Sequence, residues 1–167
     1  MFVPWDAMKG APAFPANVAF VFAFPPCTHL AVSGARWFQG KGLRALAESI
    51  EMFAVAAEIC EASGAPYMIE NPVSTISSYW RKPDHTFHPY EYTAFDLGDH
   101  YSKKTCLWVE NGFVMPEKSR DGSLDGIKPD NRIHAAPPSD DRADFRSATP
   151  MGFARAVFRA NCDRETV

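Results

Sequence analysis

The pattern that most constrains this 167-residue chain is a strand, a helix and a second strand in close succession. Residues 18–24, VAFVFAF, are β-branched and aromatic without polar alternation, which predicts a strand buried on both faces of a parallel sheet. Pro25 and Pro26 end its pairing, because neither has an N–H to give to a ladder. Leu43, Leu46, Ile50, Phe53, Ala57 and Cys60 then recur three or four apart, on one face of a helix over 43–62, and Ser63, Gly64 and Pro66 close it. PYMIENP, residues 66–72, reads as the second strand. Such a βαβ unit places its ligands at the C-terminal strand ends, and both ends here are polar: Cys-Thr-His after the first, Glu-Asn-Pro in the second.

The remainder is less regular. A proline-rich lead-in occupies residues 1–17, and residues 73–101 are irregular and aromatic. Residues 105–109 predict a third strand before an Asn-Gly turn, 112–148 read as loop, and PMGFARAVFRAN predicts a closing helix with Pro150 near its start. A composition of 46% hydrophobic and 22% charged residues is that of a folded chain, and the longest apolar run is too short to span a bilayer. With no basic segment leading into a longer apolar stretch, a cytoplasmic protein without membrane contact is expected. The four cysteines (Cys27, Cys60, Cys106, Cys162) are widely spaced and contain no CxxC, so neither a metal site nor a disulfide framework is indicated. A formal charge of −3 argues against coating nucleic acid by bulk electrostatics, but it leaves room for a local basic strip drawn from Arg36, Lys41, Arg81, Lys82, Lys103 and Lys104.

Four segments, in order, resemble the DNA cytosine-5 methyltransferase superfamily, in particular its short phage- and prophage-type members. FPPCTHLAVSGARWF resembles the family's Pro-Cys catalytic loop, and IENP its Glu-Asn strand end. SKKTCLWV sits where the family carries a basic strand, with Lys103 and Lys104 at positions usually arginine. RSATPMGFARAVFRA resembles the last motif, with Ser147 where the family has Asn. The resemblance implies a Rossmann-like α/β methyltransferase fold, a mostly parallel sheet with flanking helices, as one catalytic domain over residues 1–167. It also implies S-adenosylmethionine as cofactor, touched by Ser147 and Thr149, and cytosine-containing DNA as substrate. The family's first strand, glycine-rich turn and acidic second-strand end are missing before residue 18, so the fold is expected to be amino-terminally shortened and its cofactor site incomplete.

The chemistry assigns roles to these residues. Carbon 5 of cytosine is a poor nucleophile until a thiolate adds at carbon 6, and Cys27, at a strand end beside a turn of backbone amides, suits that task if its pKa is lowered there. The alternative is a buried small hydrophobe, as Cys60 and Cys106 read. Glu70, with a pKa raised by burial, would protonate or hydrogen-bond ring nitrogen 3; otherwise it is a solvated strand-end charge. Lys103 or Lys104 would position the substrate. Pro25, Pro26, Thr28, His29, Ser33, Asn71 and Pro72 would line the base, with Asn71 and Pro72 shaping the loop and His29 tuning Cys27, contacting a phosphate, or satisfied by backbone. Enzymes that methylate exocyclic amines carry Asp or Asn before Pro-Pro and an aromatic after it; here those positions are Phe24 and Cys27, which favours attack at ring carbon. Between Tyr79 and Tyr92, aromatics interleave with Arg81, Lys82, His85 and His88, either to stack an extruded base or to pack on the core.

Two rival readings follow from the missing cofactor half: an inactive remnant that binds nucleic acid or a partner protein, and a half-enzyme completed by a second chain. A strand at 18–24 without its usual neighbours would also leave an open sheet edge, so a homodimer or a lead-in folded across that edge is expected.

Overall fold

A computed structural model describes residues 13–15 and 17–162, and most of the proline-rich lead-in therefore lies outside the described residues. The chain divides into two compact units, one holding the residues up to Thr86 together with Thr105–Phe113, the other Phe87–Lys104 together with the residues from Val114 on.

The first unit is a mixed α/β layer. Its elements in chain order are β1 (Val21–Ala23), α1 (Phe38–Ser63), β2 (Tyr67–Pro72), α2 (Ile76–Tyr79), β3 (His85–Phe87, whose last residue passes into the second unit) and β4 (Thr105–Glu110). The sheet order is β1-β2-β4-β3. β1 and β2 run parallel with Val21 opposite Tyr67, as the βαβ reading requires, but β2 and β4 run antiparallel with Ile69 opposite Trp108. The sheet is thus mixed rather than mostly parallel. Between β2 and β4 stand only the four-residue α2, β3 and irregular chain rather than a long crossover helix, so nothing obliges β4 to run parallel to β2.

Alternate strand residues build one core against α1. Val21 and Ala23 of β1, Tyr67 and Ile69 of β2, and Cys106 and Trp108 of β4 pack with Leu46, Ile50, Phe53, Ala57 and Cys60 of the helix. Phe53 meets the Trp108 ring edge-on at 5.3 Å. The helix closes at Gly64, whose φ of 65° is the left-handed conformation that ends a helix without a Cβ clash. Two expectations fail here. β1 is three residues long and lies at the sheet edge, so Phe22 and Phe24 are 44% and 49% exposed rather than buried on both faces. Leu43, assigned to the apolar face, is 84% exposed: Gly42, at φ 80° and ψ 172°, breaks the helix just before it, and the first turn beyond this kink does not reach the sheet.

The second unit is organised around α5 (Met151–Cys162), preceded by the short helices α3 (Arg132–Ala135) and α4 (Arg142–Ser147). The 112–148 stretch read as loop is irregular apart from these and a single 3-10 turn at Gly122–Leu124. Phe153 of α5 stacks on Phe87 at 3.7 Å, and Tyr92 meets both rings edge-on. Gly152 carries the closest packing: its N–H donates to the Asp99 carboxylate at 2.6 Å, and a Cβ there would fall 2.6 Å from the Tyr92 carbonyl oxygen. Among the described residues no helix is long and apolar enough to cross a membrane.

Candidate active site

The two parallel strands expire side by side, and the chain beyond β1 is held against the chain beyond β2 by a set of short contacts. Asn71, fully buried, donates its Nδ2–H to the Pro25 carbonyl at 3.0 Å. Two residues on, the Cys27 carbonyl accepts the N–H groups of both Leu30 and Ala31 at 3.0 Å, which turns the chain sharply through Thr28–Leu30. Leu30 is buried in the α1 core and anchors this turn. Ala31 then bridges to Ser74, and Val32 donates to the Val73 carbonyl at 3.0 Å. Lys41 closes the outer side, its Nζ donating to the Thr28 carbonyl at 2.6 Å. The double proline explains why the strand stops at Ala23, and the Asn71 amide explains why the loop lies on β2 rather than in solvent.

Cys27 sits in this loop half-buried, whereas Cys60 and Cys106 are buried. Burial, with the nearby Glu61 charge adding, pushes the Cys60 thiol up to about 11, so it stays protonated and inert as a core residue, as the sequence suggests. Glu70 is half-buried, one residue beyond the Ala23–Ile69 pair and opposite Leu107 on β4. Four further polar atoms belong to the same two segments: His29 Nδ1, Asn71 Oδ1, Ser74 Oγ and Thr75 Oγ1 are shielded from solvent and have no protein partner. Buried polar atoms in native proteins are nearly always paired with protein or ordered water, so these four call for a partner such as water or a bound polar group. Ser74 and Thr75 were missed from sequence, where the motif stops at Pro72. The available signal was the pair of small hydroxyl residues immediately after a strand end, a composition equally common at a helix cap.

The other expected site residues divide sharply. Pro25 is buried, Pro26, Thr28 and Ser33 are exposed, and Pro72 and His29 are half-buried, all within the Cys27 unit. Arg81 is a structural clamp rather than a free cation: it pairs with Asp84 at 2.6 Å and Glu110 at 3.4 Å, lies over the Trp80 ring, and its carbonyl accepts the Trp108 indole N–H. Lys82 is exposed. The residues of the expected basic strip are divided between the two units. Arg36 lies over Trp37, Lys41 binds the Thr28 carbonyl, and Lys103, which belongs to the second unit with Lys104, is buried and donates to the Ala148 carbonyl. The aromatic stretch is likewise split. Tyr79 is exposed, Trp80 packs edge-on against Phe53, and Phe87 and Tyr92 form the core of the second unit.

The positions that the resemblance implies for S-adenosylmethionine are placed as follows. Ser147 turns its hydroxyl to the Asp144 carbonyl of its own helix at 3.1 Å, and Thr149 is half-buried beyond it. The glycines with positive φ (Gly42, Gly64, Gly112, Gly126) sit at a helix kink, a helix end and two turns, and none joins a strand to a helix as a cofactor-binding turn does. Among the described residues no group of three or more His, Cys, Asp or Glu side chains is placed to hold a metal ion. No family model matches the chain, and no curated protein and no solved structure matches it either.

Proposed function

We propose that this chain carries the base-activating half of a DNA cytosine-5 methyltransferase, with Cys27 as nucleophile and Glu70 as the acid at ring nitrogen 3, in a Rossmann-like setting. The observation that carries the reading is the pairing of a half-buried strand-end thiol with the unpartnered polar atoms of His29, Asn71, Ser74 and Thr75 on the two loops joined beside it. A pyrimidine ring presents donors and acceptors on one edge and an electrophilic carbon on another, which suits such a mixture. In the adduct the Cys27 sulfur bonds to carbon 6, the electrons of the 5,6 double bond move into the ring, and Glu70 hydrogen-bonds or protonates nitrogen 3. Carbon 5 becomes an enamine carbon able to accept an electrophile. Collapse by loss of the carbon 5 proton expels the thiolate and restores the ring.

The methyl group would come from S-adenosylmethionine, and because none of the positive-φ glycines among the described residues joins a strand to a helix, the half-enzyme reading is favoured over a self-sufficient one: a second chain would supply the methyl donor's site. The experiment therefore reads the adduct alone. Adduct formation followed by protonation and elimination at carbon 5 exchanges the hydrogen there with solvent and needs no methyl donor. Incubating the full chain with oligonucleotides carrying [5-³H]cytosine is expected to release tritium to water, and Cys27→Ser to abolish the release while melting like the parent. Absence of release from single-stranded and duplex DNA alike overturns the assignment of Cys27 and leaves a binding protein.

A further inference from the structure

Four stretches of the second unit that are far apart in sequence are drawn together by backbone hydrogen bonds. Tyr90 donates to the Tyr101 carbonyl at 3.3 Å, which sets the segment leading to Lys104 beside it. Ser119 donates to the Glu91 carbonyl at 2.9 Å and accepts from Ala94 at 3.1 Å, which lays Lys118 and Arg120 along the same turn. Asp130 donates to the His100 carbonyl and accepts from Ser102, which brings α3 and His134 in. At the centre His88 and Tyr90 stack at 5.2 Å, and the Arg120 guanidinium lies over the Tyr90 ring at 5.6 Å.

Cations outnumber acids here, and the acids are engaged. Burial holds the His88 imidazole below its ordinary range; Glu91 acts against this, and Lys104, Lys118 and His134 add to it in smaller measure. Glu91 is itself engaged: one carboxylate oxygen accepts from Lys118 at 2.8 Å and the other from the His88 N–H at 2.8 Å. Asp121, next to Arg120, is turned onto Ser123, accepting from its N–H at 2.8 Å. Lys104, Lys118, Arg120 and His134 remain exposed. Three permanent cations, one of them paired with Glu91, and an exposed imidazole therefore face solvent around a stacked ring pair, in a chain whose net charge is −3.

We propose that this surface binds the phosphodiester backbone of a single-stranded nucleic acid, with Lys104, Lys118, Arg120 and His134 neutralising phosphates and the His88–Tyr90–Arg120 stack offering a flat face to an unpaired base. A single strand suits it because a base already out of the helix reaches a stack that a paired base cannot. The inference does not depend on the thiol chemistry, since binding is read without cofactor or turnover.

The test is fluorescence anisotropy of a labelled 20-nucleotide single strand with the full chain, in a salt series from 50 to 200 mM. Lys118→Gln combined with Arg120→Gln is expected to weaken binding at least tenfold at 50 mM and to reduce the slope of log K against log salt by about 1.4, as two lost phosphate contacts on a single strand require. Lys104→Gln leaves the Glu91–Lys118 pair intact, guards against a folding defect in the double variant, and is expected to reduce the slope by about 0.7. Arg44→Gln, on α1 of the other unit, is expected to leave affinity within twofold and so excludes a mere net-charge effect. Equal affinity of the double variant and the parent, no binding below 100 μM, or a preference for the duplex over its own single strand would each overturn the proposal.

Discussion

The two units use their paired buried polar groups differently, although each also holds buried polar atoms without a protein partner, His88 Nδ1, His100 Nδ1 and Nε2 and Arg142 Nε in the second. In the second unit the buried Asp99 carboxylate accepts from Gly152, the buried Lys103 donates to the Ala148 carbonyl, and Thr93 both donates to the Tyr90 carbonyl and accepts from Asp121. Each of these residues joins segments that no regular element connects, so its polarity serves to hold an irregular chain together. In the first unit the sheet and α1 already do that work, and the end of β2 and the segments beyond the strands carry His29 Nδ1, Asn71 Oδ1, Ser74 Oγ and Thr75 Oγ1 unpaired. A polar group that is buried, unpaired and not required for architecture is the kind that water or a ligand completes. Burial of a charge at Lys103 is thus a weaker pointer to chemistry than an unpaired hydroxyl at Ser74.

The sharpest way to break this comparison is at Gly152. The added methyl of Gly152→Ala would meet the Tyr92 carbonyl and the Asp99 carboxylate, both held by their own contacts, and the substitution is expected to cost about 3 kcal/mol by chemical denaturation. A cost below 1 kcal/mol would mean that the Asp99 contact is adaptable and that the second unit does not rest on it. At Asn71 the effect is smaller and more informative. Asn71→Ala removes the side-chain hydrogen bond to the Pro25 carbonyl and is expected to cost about 2 kcal/mol. It should also lower tritium exchange by more than its stability loss accounts for, because the Cys27 loop is positioned through that bond. Full exchange in a destabilised Asn71→Ala would separate the loop's anchoring from its chemistry.

How much of this was legible in the sequence follows the same division. The βαβ unit was readable because helix and strand periodicities report burial directly, and Phe53, Ala57, Cys60, Tyr67 and Ile69 are core residues for the reason their spacing gives. The polar strand ends were readable because proline stops a ladder, and Cys27, Glu70 and Asn71 fall on two adjoining strand ends accordingly. The antiparallel entry of β4 was not readable, since strand direction depends on the path of the connection and not on the strand's own residues. Nor was the cation cluster at Lys104, Lys118 and Arg120, which exists only because backbone bonds bring 90–94, 101–104 and 118–121 together. Local patterns carry information about local faces, and the segments of the second unit are tied by contacts between residues distant in sequence.

Asp99 extends the comparison to pH. Burial raises its carboxyl above the ordinary aspartate range, the Gly152 N–H acting in the opposite sense. The folded state therefore holds this proton more tightly than the unfolded chain does. Its contribution is most favourable below the unfolded pKa of about 3.9 and is lost as pH rises through the folded value. Asp99→Asn keeps an oxygen to accept from Gly152 but cannot ionise. The expected outcome is a melting temperature that declines less than the parent's as pH is raised from 4 towards neutrality, and identical pH profiles would show that Asp99 is not desolvated enough to matter.

The smallest effect is expected at Leu43, and it tests the sheet unit where its sequence pattern misled. Leu43 continues the spacing of Leu46, Ile50 and Phe53, so on periodicity alone its replacement by lysine should be costly. In the folded chain it stands just past the Gly42 kink and is almost wholly exposed, and Leu43→Lys is expected to change stability by less than about 0.5 kcal/mol. The kink separates the stretch 32–41, which holds the exposed Val32 and Trp37, from the helix that packs on the sheet. A cost above 1 kcal/mol at Leu43 would place that side chain against the sheet and remove the kink as a boundary. A negligible cost would fix the start of the packed helix beyond Gly42 and leave the segment after Cys27 tied to the sheet unit mainly through Leu30, Val32 and Lys41.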